Sequence, residues 1–316
     1  MRLKLLLLSF FVGVNYFGFA QTDDEIMKEL NKEEKSTLKI GSGIGNKVFS
    51  THNNSLNAQQ TDKAIVFTPF IGYYHKSGLS LTATGYLLNS SGNSGLLQYA
   101  INPAYDYYDD NISSTVSYTH YFVTSNYNTA LTPVQNDFYA SMNAKKGWLQ
   151  PGFQIGYAAG TYKEITPVDT TVRTAGINTH YQFIDTASIK QSSFSLTGTL
   201  QHTFNFSKVI SGDDLLSFTP QFLLNFGSGK YSVNQSSSGS YSFLVKRKRA
   251  KKNFRNTNQQ SSNSPFKAES IGLNLEGGYS IGKFEIEPDI YFDYYLPKTN
   301  AKKLTTVFTI NFSYNF

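Results

Sequence analysis

The chain has 316 residues, no cysteine, and an aromatic content dominated by 25 Phe and 22 Tyr. Lacking cysteine, it is excluded from disulfide scaffolds, thiolate metal sites and lipidation at an N-terminal cysteine. Its formal charge of +6 is unevenly placed: beyond residue 20 there are 26 cations against 22 anions, and seven of the cations crowd into residues 246–255.

Residues 1–20, MRLKLLLLSFFVGVNYFGFA, join two cations, an apolar run and a Gly18-x-Ala20 ending, which predicts a cleaved secretory signal peptide. Asn15 interrupts the run that a membrane anchor would need. Residues 21–36 hold the charged stretch DDEIMKELNKEEK and are expected to form a periplasmic N-terminal segment, either entering the remainder of the protein or trailing from it. Beyond residue 20 no apolar run approaches the about 20 residues of a membrane helix, so helical spans are excluded. The mean hydropathy of −0.33 does not exclude strands in lipid, because half of each such strand faces water.

From residue 37 onward the pattern is alternation, and successive side chains of a strand point to opposite faces. Twelve strands are predicted, at about 37–49, 64–75, 79–89, 96–108, 112–124, 135–143, 147–163, 194–206, 216–226, 267–281, 284–296 and 304–316. In residues 194–206 Phe194, Leu196, Leu200, Phe204 and Phe206 oppose Ser195, Thr197, Thr199, Gln201 and Asn205. Short connections rich in Gly, Asp, Asn or Lys at 75–78, 109–111, 144–147, 207–214 and 280–283 suit tight reversals. Generally longer polar segments at 50–62, 90–95, 125–134, 164–191, 229–266 and 297–302 alternate with them. An even strand number places both of the longest segments on one side, and residues 172–186 are read as part of a hairpin arm above the membrane. The fold expected is all-β: a transmembrane antiparallel up-and-down β-barrel of about 12 strands over residues 37–316, with short periplasmic turns and long extracellular loops. Pro69, Pro103, Pro151, Pro220 and Pro288 fall inside these strands on the apolar parity, where bulges or kinks are expected.

The signal, the alternating strands and the terminal FSYNF resemble Gram-negative outer-membrane β-barrel proteins over about residues 37–316. The resemblance implies outer-membrane localisation and contact with outer-membrane lipid and lipopolysaccharide. It also implies that Phe312, Tyr314 and Phe316 act as the signal read by the barrel-assembly machinery.

Inward parity selects candidate pore-lining charges: Glu285, Glu287, Asp289 and Asp293 on one strand, Glu276 on the preceding one, with Lys39, Lys47 and Lys303. Such charges either set a transverse field that selects solutes or form internal ion pairs that only stabilise the barrel. Inward Tyr74, Tyr86, Tyr108, Tyr121, Tyr139, Tyr291 and Tyr295 would narrow the lumen of a twelve-stranded barrel, which lies between filled and open sizes. The run Lys246, Arg247, Lys248, Arg249, Lys251, Lys252 and Arg255 suits surface polyanions or a solvated loop; export conflicts with a nucleic-acid partner. The histidines at 52, 75, 120, 180 and 202 sit in no recognisable catalytic interval, and no metal-ligand spacing or phosphate-binding glycine loop is present. The expectation is a narrow pore or transporter for small polar or ionic solutes, with no enzyme activity and no cofactor. The alternative is a non-conducting surface scaffold, adhesin or assembly subunit.

Overall fold

The computed structural model describes residues 35–46, 65–90, 93–123, 134–174, 177–245, 248–297 and 303–316. Among these residues thirteen strands are found: β1 (Thr37–Gly45), β2 (Val66–Tyr74), β3 (Leu79–Ser90), β4 (Asn93–Tyr108), β5 (Ile112–Val123), β6 (Asn136–Ala144), β7 (Gln150–Thr174), β8 (Ile177–Gln201), β9 (Phe204–Ser207), β10 (Asp214–Val245), β11 (Lys248–Ile281), β12 (Phe284–Tyr295) and β13 (Leu304–Asn315). Each pairs antiparallel with its sequence neighbour, except that β8 and β9 both pair with β10 and together make one stave. β1 pairs with β13 from Lys39↔Asn315 to Gly45↔Thr309, which closes a twelve-stave barrel.

The burial pattern decides what the wall touches. On β13, Val307, Thr309 and Ser313 are buried while Leu304, Ile310 and Phe312 are exposed. On β2, Val66 is 1% exposed and its neighbour Phe67 46%. A soluble sandwich hides its apolar parity; here the apolar parity is outside and the small polar parity inside. Outward Ile40, Ile71, Ile101, Val116, Ile290 and Ile310 form an aliphatic band. Exposed Tyr73, Tyr107, Trp148, Phe284 and Phe316 lie on the side of the short turns, and Phe67, Tyr99, Tyr157 and Tyr294 on the other. An apolar belt with aromatic girdles is a lipid-facing surface.

The short turns follow the predicted chemistry. Gly78 has φ +89°, and a Cβ there would collide with the carbonyl oxygen of Asp106, so the turn after β2 requires glycine. Asp109 caps the next turn, accepting from the N–H groups of Asn111 and Ile112 at 2.7 Å each. Asp214 accepts from the N–H groups of Val209, Ile210 and Ser211 at 2.7–2.9 Å and from the Tyr279 hydroxyl at 3.0 Å.

Three expectations about the wall change. The polar segments 164–191 and 229–266 are strand rather than loop: β7–β8 pair out to Thr174↔Ile177 and β10–β11 out to Val245↔Lys248. Segment 90–95 also shortens, since β3 and β4 pair out to Ser90↔Asn93. The hairpin reading of residues 172–186 holds, and β8–β10 pairing as far as Thr179↔Phe243 joins the two hairpins into one four-stranded arm. Among the described residues β6 pairs with β7 only to Ala159 and β12 with β11 only to Ser270, so the arm extends past the last pairs with the wall on either side. At ~3.3 Å per residue it reaches on the order of 50 Å.

The second change is a break at residues 202–203 inside the strand predicted for 194–206. The third concerns the prolines, and it explains that break. Pro220 stands opposite His202, where the ladder to the β8–β9 stave is interrupted, yet it keeps its pairing with Leu275 on β11. Pro69, Pro103 and Pro288 likewise keep one neighbour (Ser42, Leu81 and Ile310) and fall in gaps toward β3, β5 and β11. Pro151 lies just past the last β6–β7 pair. The register is the same on both sides of each gap, so these are missing rungs and not the expected bulges: proline lacks the N–H on one side only. Pro103, Pro151, Pro220 and Pro288 lie on the short-turn half of their strands, and Pro69 lies just short of the middle of β2. Residues 1–34, with the predicted signal and most of segment 21–36, lie outside the described residues.

Candidate functional site: the barrel lumen

Inward side chains divide the interior into a cavity at the short-turn end and a packed waist toward the arm. The cavity, about 630 Å³, is lined by β1–β5 and β11–β13. Four carboxylates, Asp106, Glu276, Glu287 and Asp289, share its wall with one cation, Lys39. The Lys39 ammonium donates to Glu285 Oε2 at 2.5 Å and lies 4.0 Å from Glu287 Oε1. Glu285 also accepts from Asn315 Nδ2 at 2.7 Å. Since Glu285 pairs with Ser313 and Lys39 with Asn315, this ion pair clasps β12, β13 and β1 across the closing seam. The charges there are neighbours and not opposed across the lumen. What remains is acidic.

At the waist the interior is filled. Tyr121 and Tyr291 are 1% and 0% exposed, and Tyr86 and Tyr139 are also buried. The rings of Tyr86 and Tyr121 lie 6.3 Å apart, in a cluster with Val66, Ala100, Val134 and Ala158 that draws on several staves. Across from it, Thr197 donates to Asn225 Oδ1 at 2.8 Å, and Asn225 Nδ2 donates to Ser270 Oγ at 2.9 Å and to the Tyr291 hydroxyl at 2.8 Å. Tyr291 in turn donates to Asp293 at 2.6 Å. Gly272 makes this possible, because a Cβ there would stand 2.5 Å from the Tyr291 ring.

Of the predicted lining charges, Glu276, Glu285, Glu287, Asp289 and Lys39 come together at the short-turn end. Asp293 is separate, a member of the waist network. Lys303 does not line the lumen: its ammonium lies 5.7 Å from the centre of the outward Tyr294 ring. At a strand end the flexible stem lets the charge reach round the rim to an aromatic face. Lys47 is outside the described residues. The predicted inward Tyr74 and Tyr108 line the cavity, as does Asp106, whose parity on β4 was legible but which was not singled out. Thr309 and Asn311 were missed because neutral hydroxyl and amide side chains recur along every inward face.

In the basic run, Arg249, Lys251, Lys252 and Arg255 pair with Leu244, Ser242, Tyr241 and Ser238, and Lys248 with Val245, next to the arm's tip; Lys246 and Arg247 lie outside the described residues. At the other end Phe312 is exposed, Tyr314 and Phe316 meet edge-to-face at 4.8 Å, and the Phe316 N–H donates to Leu38 O at 2.9 Å. Outward His202 stacks on Trp148 at 4.9 Å and His120 meets Phe122 edge-on at 4.5 Å, both as parts of the outer aromatic surface. On the arm His180 links Thr171 (3.1 Å) and Asp169 (3.4 Å), neighbours across the β7–β8 ladder that spacing along the sequence does not reveal, with Asp169 exposed to solvent.

No family model matches the chain, and no curated protein matches it. Among solved structures, a bacterial polysaccharide outer membrane secretin aligns at 8% identity and a TM-score of 0.34, covering 89% of this chain and 98% of that one. LpxR from Salmonella typhimurium aligns at 8% identity and 0.30, covering 88% and 100%. The CymD monoaromatic hydrocarbon channel aligns at 10% identity and 0.29, covering 89% of each. Scores of this size carry no argument about activity, and the assignment rests on the chain's own strand pairing and inverted burial. By those two features, the architecture is that of an outer-membrane β-barrel protein.

Proposed function

We propose that this chain forms a narrow, waist-gated pore for small polar or ionic solutes in the outer membrane of a Gram-negative bacterium. It would arrive there through its signal peptide and the barrel-assembly machinery, with Phe312, Tyr314 and Phe316 as the aromatic ending that is read. One observation carries the reading: a polar cavity of about 630 Å³ with four carboxylates and one lysine on its wall, enclosed by a closed barrel. Ionisable groups at membrane depth are costly unless they serve a hydrated path. The waist network is the barrier a solute must cross, and its hydrogen-bonded tyrosine is the element that moves. The test is conductance of the refolded full-length protein in planar bilayers. Small cation-preferring steps are expected, larger in a Tyr121→Ala/Tyr291→Ala double variant. Electrical silence of that variant, properly inserted, overturns the pore.

A second reading has its own observation. The four-stranded arm, with a run of cations beside its tip, is built to present a surface far from the wall. In that reading Lys246, Arg247, Lys248, Arg249, Lys251, Lys252 and Arg255 meet lipopolysaccharide phosphates, an attraction that salt screens. Replacing the seven by Gln is expected to abolish retention on lipopolysaccharide micelles at low salt; unchanged retention removes this role.

A further inference from the structure

The pore reading leaves the solute's chemistry open, and one row of inward side chains narrows it. Adjacent staves place Thr309 opposite Asp289 in the β13–β12 ladder, and Asp289 opposite Glu276 in the β12–β11 ladder. One step toward the short turns Asn311 faces Glu287. All five side chains line the same cavity. Thr309 is 8% exposed, and its hydroxyl has no hydrogen-bond partner among the described residues. Buried hydroxyls are normally satisfied, so a group that expects a partner stands on the cavity wall beside the acidic row.

Two further properties select the partner. Among the described residues no cluster of His, Asp or Glu is set to hold a metal ion. The same cavity wall carries Phe70, Tyr74, Tyr86 and Tyr108, on β2, β3 and β4. Carboxylates and aromatic rings lining one cavity suit a cation whose charge sits on N–H groups and whose body is hydrocarbon: the ammonium donates to carboxylate and hydroxyl oxygens while methylenes and charge rest against ring faces. The volume falls within the range of small-molecule sites.

We propose that this cavity binds aliphatic ammonium compounds, diamines in particular, with Glu276, Glu287 and Asp289 as the charge partners and Thr309 as an orienting hydroxyl. The inference rests on the lumen being the functional site and specifies what the lumen selects. The probe is 1,4-diaminobutane, titrated calorimetrically into the refolded full-length barrel in detergent at low salt, with neutral 1,4-butanediol as control. Saturable binding of the diamine and none of the diol is expected. Glu276→Gln/Asp289→Asn is expected to weaken binding about tenfold or more, as for loss of charge-assisted bonds. Thr309→Val, a near-isosteric change that spares the charge, is expected to weaken it severalfold, and Asp185→Asn on the arm to leave it unchanged. Equal affinity for diol and diamine, no binding, or unchanged binding by the folded Thr309→Val and double variants overturns the proposal. Binding in detergent needs no passage through the waist: a barrel that binds diamine but is silent in bilayers keeps the site and loses the pore, and one that conducts without binding diamine does the reverse.

Discussion

Lys39 shows how one side chain serves both the wall and the lumen. Its ammonium holds Glu285 across the seam, and both groups are mostly shielded from solvent. Lys39→Gln leaves a shielded carboxylate without its cation and is expected to lower barrel stability by on the order of 1–3 kcal/mol in urea unfolding. Glu285→Gln combined with it should recover part of that loss, a coupling read by the double-mutant cycle. Asp109 supplies a pH-dependent case outside the membrane. The N–H groups of Ile112 and Asn111 hold its carboxyl below the ordinary value of 3.8. With the folded value lowered, the turn's stabilisation is complete above the unfolded value and is lost as pH falls through the folded one. Protection of the Asn111 and Ile112 amides, taken as the hydrogen-exchange rate relative to the intrinsic rate at each pH, is therefore expected to hold at pH 5 and to fall only below about pH 3.8. Asp109→Asn should leave both amides weakly protected, with a protection that does not change with pH across that window.

Among elements, the strands lacking a rung are the informative ones. Pro103 removes a donor facing β5, and Asn102 compensates: its side-chain amide donates to the Tyr118 carbonyl at 3.4 Å and to Thr119 Oγ1 at 2.6 Å. Asn102→Ala is expected to cost about 1–3 kcal/mol by stranding those acceptors at a gap in the ladder, measured as a fall in urea midpoint. The arm is the opposite case, since past Ala159 and before Ser270 its outer strands pair with no wall stave among the described residues. Excising residues 161–189 and 230–264, each replaced by a short turn, is expected to leave a closed barrel with heat-modifiable migration; failure to fold would mean the arm is part of the barrel's cooperative unit. The arm also marks where the sequence was hard to read. A membrane strand announces itself because lipid demands an apolar residue at every second position, as in Phe308, Ile310, Phe312 and Tyr314. A sheet standing in water has no such demand, so Ser236, Ser237, Ser238, Gln259 and Gln260 read as loop. The prolines were legible as strand residues, but their one-sided gaps depend on which neighbour each N–H faces, a property of register rather than composition.

For the whole molecule, the wall was written in period-two patterning and the lumen was not. Inward parity found Glu276, Glu285, Glu287, Asp289 and the buried tyrosines, because parity is local. Which of them touch depends on stagger around the closed barrel, and so the Asn225–Tyr291–Asp293 network and the Thr309 row emerge only in three dimensions. Every functional statement about cavity, waist and arm depends on the apolar half of each stave meeting hydrocarbon. The absence of native cysteine allows a direct measurement: single cysteines placed in turn at residues 304–315, each carrying a nitroxide, in the refolded protein in lipid vesicles. The predicted result is an alternation with a period of two residues, labels at 308, 310 and 312 accessible to oxygen dissolved in the bilayer and labels at 307, 309 and 311 shielded from it. Uniform accessibility to an aqueous nickel chelate along the strand, or oxygen access on the odd positions, would contradict the account.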